Sequence, residues 1–201
     1  GIGSGEGQLC YPSGVAVTSD SSFVIVADFM NHRVQVLRLV VGADNISTHL
    51  EFVCSLGSGQ GSAEGNLKYS FGVALLQSNG GQQETVLVTE QGNHRVSQFA
   101  LDTFIGIFAG TGETGSGNSG FKDPRGITVL GSSGEVAVAD CNNHRVQIVD
   151  SEGNYKQQFG TEGKEADGQF YRPTGLASDA HGNLLVVDWT NRLQVFSPEG
   201  K

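Results

Sequence analysis

The chain has 201 residues, 37% of them hydrophobic, and its 30 glycines and only 4 prolines are typical of many tight turns between strands rather than of disorder. The formal net charge of −9 argues against non-specific binding to polyanions, although it leaves room for a local basic patch. Three cysteines without C-x-x-C spacing argue against a disulfide framework or zinc knuckle and favour a reducing compartment such as the cytoplasm, and no apolar run approaches the roughly 18 residues of a membrane span.

Four similar units follow one another along the chain, and each contains short runs rich in β-branched and aromatic residues. Unit one gives GVAV, FVIVAD, RVQVLRL and LEFVCSLG, and unit two gives FGVALL, TVLVTE, RVSQFAL and FIGIFAG. Unit three gives GITVL, EVAVAD, RVQIVD and YKQQFG, and the fourth unit stops after its third run. Turn residues separate the runs, which alternate with a period of two, so each run is predicted to be a β-strand.

The spacing of the units predicts the fold. The acids that close the second run, Asp28, Glu90, Asp140 and Asp188, are separated by 62, 50 and 48 residues, which gives a period of about 50. Four strands per unit at this period predict an all-β protein built of propeller blades, with strands a, b, c and d from the inside outward. The predicted blades lie approximately at 10–57, 68–110, 121–160 and 170–201.

The stretch PSGVAV…VADFMNHRVQV and its three echoes resemble the NHL repeat, which is named for its Asn-His-Arg triplet. The resemblance extends over essentially the whole chain and implies a β-propeller, usually of more than four blades. The chain contains four a–b–c sets but only three d runs, and it begins with Gly1 rather than Met. We therefore expect an arc of a larger propeller or a ring completed by another segment, in preference to a self-closed ring of four blades.

The repeated triplet is either a histidine array for metal binding or catalysis, or a device that builds the b–c hairpin. His32, His94 and His144 lie on different predicted blades, where packed sheets are about 10 Å apart, whereas zinc needs its ligands at about 2.0–2.1 Å. The fourth copy lacks the histidine but keeps the acid and the arginine, which also favours the structural interpretation.

In the structural interpretation, the acid accepts N–H groups of the turn, the arginine returns to the carboxylate, and the asparagine adopts a left-handed conformation. The residues assigned to this structural motif are Asp28, Asn31, His32, Arg33, Glu90, Asn93, His94, Arg95, Asp140, Asn143, His144, Arg145, Asp188, Asn191 and Arg192.

In a propeller the d–a and b–c loops emerge on one face, called here the corner face. Six of the aromatic residues fall at these loop positions, interleaved with Lys and Arg, a pattern typical of surfaces that bind peptides or single-stranded nucleic acid. The alternative is that some of these aromatic side chains fill crevices between blades. The predicted binding residues are Tyr11, Phe29, Met30, Lys68, Tyr69, Phe71, Lys122, Arg125, Tyr171, Arg172 and Trp189.

Two insertions fall on the opposite face and offer an alternative location for a binding site. They are the c–d connection VVGADNISTHLE in unit one and the a–b turn QSNGGQQE in unit two. Because both are small and polar, they are interpreted as solvated turns, and the corner face is preferred.

The NHL resemblance implies a recognition module within a larger protein, and such modules bind either protein or RNA. The negative net charge favours a protein partner, whereas Lys68, Lys122, Arg125 and Arg172 on one face favour single-stranded RNA. No membrane contact is expected. A purely architectural spacer in a larger assembly is a third interpretation.

An enzyme is the alternative class, since related propellers include a lyase and several lactonases that hold metals at the channel mouth. Outside the triplets the chain has only His49 and His181, and both are predicted on the face opposite the corner face, near no other histidine. The glycine-rich stretches lack the Gly-Lys-Ser/Thr ending of a phosphate loop. Catalysis, a bound metal and a cofactor are therefore not expected.

Overall fold

Four antiparallel sheets follow one another along the chain, and in each the strand order follows the sequence. The computed structural model describes residues 1–42, 48–77 and 83–197. The first three sheets have four strands each and the last has three. The first sheet contains β1 (Pro12–Val17), β2 (Phe23–Asp28), β3 (Arg33–Val41) and β4 (Thr48–Leu56), and the second contains β5 (Ser70–Gln77), β6 (Glu84–Glu90), β7 (Arg95–Phe99) and β8 (Phe104–Ala109). The third contains β9 (Pro124–Leu130), β10 (Glu135–Asp140), β11 (Arg145–Val149) and β12 (Tyr155–Phe159); a short parallel pair, β13 (Thr161–Glu162) and β14 (Gln169–Phe170), precedes the last sheet of β15 (Pro173–Ser178), β16 (Leu184–Asp188) and β17 (Leu193–Phe196). These sheets are the blades of a β-propeller, so the fold class predicted from the repeat is confirmed.

The b–c and d–a corners of each blade lie on the same face. The b–c corners of the first three blades are short 3₁₀ turns, at Phe29–Asn31, Gln91–Asn93 and Cys141–Asn143. A fourth 3₁₀ turn, at Gly131–Ser133, is the a–b turn that joins β9 to β10. In every blade a backbone N–H of the b–c corner donates to a carbonyl of the d–a corner, as Trp189 does to Tyr171 at 3.0 Å. Within the described ranges, these helical turns are far too short to cross a membrane.

The glycine-rich segment before each inner strand folds into the same loop in all four units. A parallel β-bridge closes the loop between Ile2 and Leu9, between Gln60 and Leu67, and between Thr114 and Phe121, and the pair β13–β14 does so in the fourth unit. The last apolar residue of the loop is completely buried in the later units, at Leu67, Phe121 and Phe170. These side chains belong to the three hydrophobic clusters that join neighbouring blades.

Inner strands of neighbouring blades pack closely, β1 on β5, β5 on β9 and β9 on β15. A glycine lies near the start of the inner strand at each of these contacts, because a side chain does not fit there. A Cβ atom at Gly14, Gly72 or Gly126 would lie 2.4–2.6 Å from a backbone carbonyl oxygen of the next blade. A Cβ at Gly175 would meet only a side chain of its own blade, Val187.

The outer faces of the two end blades remain exposed. Val34 in the first blade is 0% exposed because the second blade covers it, whereas Leu193, at the equivalent position of the last blade, is 60% exposed. Val195 and Val187 lie on the same open face, and β17 has no fourth strand beside it among the described residues. In the first blade, Val15 and Val17 are 66% and 52% exposed. The described residues therefore form an arc of four blades with exposed apolar side chains at both ends.

The c–d connection of the first blade differs from the solvated turn predicted for it. Val40 pairs with His49 and Val41 with Thr48, so both sides of the insertion continue the β3–β4 hairpin. β-branched residues on both sides favour this extension. The rest of the insertion, 43–47, and most of the a–b insertion, 78–82, lie outside the described residues.

Candidate functional site

The carboxylate that closes each second strand is the centre of a repeated hydrogen-bond network. Asp28 accepts the Nε–H of Arg33 at 2.8 Å and, through its other oxygen, the backbone N–H of Cys10. The same pairing recurs between Glu90 and Arg95 and between Asp140 and Arg145, each at 2.7 Å. These carboxylates are completely buried, so the arginine supplies the charge that compensates their desolvation.

The fourth copy lacks one residue between acid and arginine, and its network is rearranged. Arg192 donates through Nη2 to Asp188 at 3.2 Å, and its Nε donates to the hydroxyl of Thr190. Burial acts to raise the pKa of Asp188, but hydrogen bonds from Thr190, from the N–H of Tyr171 and from Arg192 outweigh it and hold the pKa below its ordinary value. The carboxylate is therefore still stabilised in its charged form.

The remaining nitrogens of each motif arginine hold the glycine-rich loop against its blade. Arg33 donates to the carbonyls of Gly5 and Gln8, and Arg145 donates to those of Ser116, Gly117 and Gly120. Arg95 and Arg192 donate to carbonyls of their own loops in the same way. The motif thus binds loop backbone rather than presenting its arginine to a ligand.

The triplet histidine links one blade to the next. The Nδ1 atom of His32 accepts the backbone N–H of Tyr69, that of His94 accepts the N–H of Asp123, and that of His144 accepts the N–H of Arg172. Each acceptor atom belongs to one blade and each donor to the d–a corner of the following blade. A shared metal site at these histidines is therefore incompatible with their positions.

The left-handed residue of the corner differs from the prediction in three of the four repeats. His32, His94 and His144 have φ between 52° and 55°, whereas only Asn191 is left-handed among the motif asparagines. The other asparagines lie within the 3₁₀ turns and donate from Nδ2 to the motif acid and to a loop carbonyl, as Asn31 does to Asp28 and Gly3. The prediction was wrong in these three repeats because it placed the left-handed residue one position too early, at the asparagine instead of the histidine.

The corner face carries a row of rings and guanidinium groups that crosses all four blades. The Phe29 ring lies 5.1 Å from that of Tyr69 and 5.9 Å from that of Phe71, measured between centroids. The guanidinium of Arg125 lies 5.1 Å from the Phe71 ring and 5.2 Å from that of Trp189. Residues separated by more than 100 positions in sequence are thereby brought into one continuous surface.

The other predicted binding residues lie around this row. Tyr11 and Met30 are 75% and 48% exposed beside the first blade, and Lys122 is exposed beside the third. Lys68 packs against Gly92 together with Tyr69, and the Tyr171 ring lies 5.3 Å from that of His144. Phe29 of the first blade and Tyr69 of the second are half-buried and contact each other, an arrangement consistent with the alternative that some aromatic side chains fill crevices between blades.

Two features of this face were not among the predicted site residues. Lys164 lies 4.3 Å above the Tyr171 ring, and it belongs to a glycine-rich loop whose return over the blade the sequence pattern did not reveal. Cys141 is completely buried beneath the face, and burial raises the pKa of its thiol. Cys141 occupies the position of Phe29 and Trp189 in the repeat, an alignment that identifies it as part of the same surface.

A groove of about 530 Å³ lies on the opposite face between the first two blades. It is lined by the a–b and c–d turns, with Asp20, Glu84 and Asp102 among its residues. Glu84 accepts the N–H of Ser19 across the groove and so ties the two blades together. No group of three or more His, Cys, Asp or Glu side chains in the described ranges is arranged to hold a metal ion.

Comparison with known proteins agrees with the repeat motif. The model of the NHL repeat matches residues 9–37 and 121–149, which confirms the resemblance inferred from the triplets. The chain is 37% identical over 93 residues to the protein brain tumor of Drosophila melanogaster and 40% identical over 92 residues to the B-box type zinc finger protein ncl-1 of Caenorhabditis elegans. Each match covers 45% of this chain but only 9% and 11% of those proteins, so the chain spans a small part of these relatives.

Solved structures share the fold at low sequence identity. A chain of a nidogen–laminin complex matches 94% of this chain with a TM-score of 0.65 at 18% identity, and the match covers 61% of that chain. A streptogramin B lyase matches 94% with a TM-score of 0.53 at 15% identity, covering 66% of the lyase. At these identities the likeness shows the fold alone.

Proposed function

Since the chain carries NHL repeats and folds into propeller blades, we propose that it is a non-catalytic recognition module that binds a protein partner through its corner face. The observation that carries this proposal is the row of aromatic and arginine side chains across four blades, centred on Arg125 and Trp189. Aromatic residues, Met and Arg are enriched in the cores of protein interfaces, and Trp, Tyr and Arg supply most binding hot spots.

The state of the rings favours protein over nucleic acid. Stacking of a nucleobase needs a free aromatic face. On the corner face, Trp189 is in contact with two guanidinium groups and Tyr171 lies under Lys164. The ring of Phe29 contacts those of Tyr69 and Phe71. The exposed apolar side chains of Tyr11 and Met30 and the net charge of −9 also agree better with a protein partner than with a polyanion.

Single-stranded RNA is the second candidate, because the corner face carries Lys68, Lys122, Arg125 and Arg172 against few acids. Binding of this kind would weaken steeply with salt, since phosphate contacts release counterions. The fold is shared with lyases, but in this chain the triplet histidines accept hydrogen bonds from the next blade. That engagement supports a structural rather than a catalytic assignment for them.

We also propose that further β-structure, from a longer polypeptide or another segment, covers the end blades. Leu193 and Val195 are exposed at positions that neighbouring blades cover elsewhere, and β17 offers an unpaired edge within the described part of the chain. Uncovered apolar faces and free strand edges promote association. A recognition module of this size is therefore expected to work within a larger propeller.

Site-specific photocrosslinking tests the proposed function. A benzoylphenylalanine at Tyr11 should crosslink a protein partner, which is then purified and titrated against the chain. The same group at His181, on the opposite face, should give no crosslink to that partner. Nuclease treatment of the sample separates the protein and RNA alternatives. Crosslinks that are lost when the nuclease digests RNA would overturn a protein-binding corner face, and so would crosslinks that form equally from Tyr11 and from His181.

A further inference from the structure

Most arginines of the propeller are neutralised within it, but two on the corner face are not. Arg33, Arg95, Arg145 and Arg192 each pair with a motif carboxylate. Among the described residues, the guanidinium groups of Arg125 and Arg172 form no salt bridge and no hydrogen bond, although both lie at the centre of the corner face.

The two guanidinium groups lie against the same indole ring. The Cζ atom of Arg125 is 5.2 Å and that of Arg172 is 4.7 Å from the Trp189 centroid. Contact with aromatic faces holds both side chains in place without satisfying their N–H donors, and Trp189 itself is 49% exposed. Two ordered, uncompensated positive charges are thus presented on an apolar base.

Arg125 also has an unsatisfied hydrogen-bond donor. Its Nε atom is buried and has no hydrogen-bond acceptor in the structure, a condition that folded proteins rarely tolerate. The acidic side chains of the corner loops in the third and fourth blades are already engaged. The carboxylate of Asp123 accepts the amide of Asn142 and faces His94, while Asp140 and Asp188 accept from their own arginines.

We propose that Arg125, Arg172 and Trp189 form a carboxylate-binding clamp for an acidic side chain of the partner protein. The planar guanidinium fork matches a carboxylate through two parallel N–H···O hydrogen bonds, and a charged acceptor strengthens each of them. Phe71, on the other side of Arg125, holds the fork in position, and the exposed part of the indole contacts the carbon stem of the bound Asp or Glu. This inference rests on the proposed protein-binding function of the corner face.

The chain provides its own reporter, since Trp189 is its only tryptophan. Titration with the acetylated peptide Asp-Glu-Leu-Glu-Asp should change the emission of Trp189 saturably, because the bound carboxylate places a negative charge beside the indole and its carbon stem covers the exposed part of the ring. The matched peptide Asn-Gln-Leu-Gln-Asn should produce no saturable change. Arg125→Gln and Arg172→Gln should each weaken binding of the acidic peptide by about tenfold or more, as expected for the loss of a charge-assisted hydrogen-bond pair.

Arg38 is the matched control, because it lies 5.9 Å from the Phe23 ring on an outer part of the first blade and forms no salt bridge with any described residue. Arg38→Gln should leave the titration unchanged. Thermal unfolding of each variant, together with Arg172→Lys, separates loss of binding from loss of fold. Equal responses to both peptides, or an acidic response that survives Arg125→Gln and Arg172→Gln, would overturn the clamp.

Failure of the clamp and failure of the proposed function give different results. If the Tyr11 crosslink to a protein persists while the acidic peptide produces no response, the partner binds without the carboxylate contact and only the clamp is overturned. If a single-stranded oligonucleotide changes the emission and the acidic peptide does not, and the crosslinks depend on RNA, both inferences are overturned.

Discussion

The Nδ1 atom of His32 accepts the backbone N–H of Tyr69 in the next blade at 2.9 Å. The Tyr69 residue is left-handed, with φ of 53°, and its ring lies 4.4 Å from the imidazole. The same bond recurs from His94 to Asp123 and from His144 to Arg172. The histidine shared by the first three repeats therefore connects blades, and its loss should reduce stability rather than alter any chemistry.

Replacing a linking histidine should destabilise the propeller. In His144→Ala the N–H of Arg172 loses its acceptor, and alanine must adopt the left-handed conformation that His144 has at φ of 55°. We expect a loss of about 1–3 kcal/mol in the free energy of unfolding, measured by urea denaturation. His181→Ala is the control, because His181 lies exposed in a turn, and a loss there as large as in His144→Ala would contradict the assignment.

Stability should fall when the pH drops below the ordinary range of histidine. Burial, with a smaller contribution from the charge of Lys68, lowers the pKa of His32 from 6.5. A histidine whose folded pKa is lower than its unfolded pKa contributes stability that is present above 6.5 and is lost as the pH falls through the folded value. Denaturation at pH 8 and at pH 5.5 should show a smaller difference in His32→Asn, and an unchanged difference would show that His32 does not contribute.

Neutralising a buried motif acid should strongly destabilise the propeller. Glu90 accepts from Arg95, from Ser97 and from Asn93, and both members of the ion pair are buried. Glu90→Gln leaves the charge of Arg95 without a counter-ion in the interior, for which we expect a loss of about 3–5 kcal/mol. Glu152→Gln, at an exposed turn, should change the unfolding free energy by less than about 0.5 kcal/mol, and comparable losses in the two variants would be inconsistent with the network.

Glycine at the start of the inner strand should be required only where another blade covers it. Gly72→Ala would place a Cβ 2.4 Å from the carbonyl oxygen of Arg125, so the inner strands would have to separate. Gly175→Ala meets only the side chain of Val187 and should cost clearly less, and Gly106→Ala, with nothing near its Cβ, should be close to neutral. Thermal unfolding in which Gly175→Ala is as damaging as Gly72→Ala would contradict this arrangement.

The repeat made the fold predictable from sequence, because period-two runs and turn residues recur at the same positions in every blade. Strand order also predicts that the d–a and b–c loops share one face, and the contacts from Phe29 to Trp189 join residues of those loops. The partner of each histidine did not follow, because its bond crosses to another blade and involves a backbone N–H that has no sequence pattern. For the same reason the contact of Lys164 with Tyr171 and the unpartnered Nε of Arg125 became visible only in three dimensions.

Recognition through the corner face is the central claim, and the affinity of the crosslinked partner for four purified chains tests it most directly. Calorimetry should give tight binding for the unchanged chain and for Arg38→Gln, and binding weakened by about tenfold or more for Trp189→Ala and for Arg125→Gln. The same affinity for all four chains, with each shown to be folded, would contradict recognition through this face.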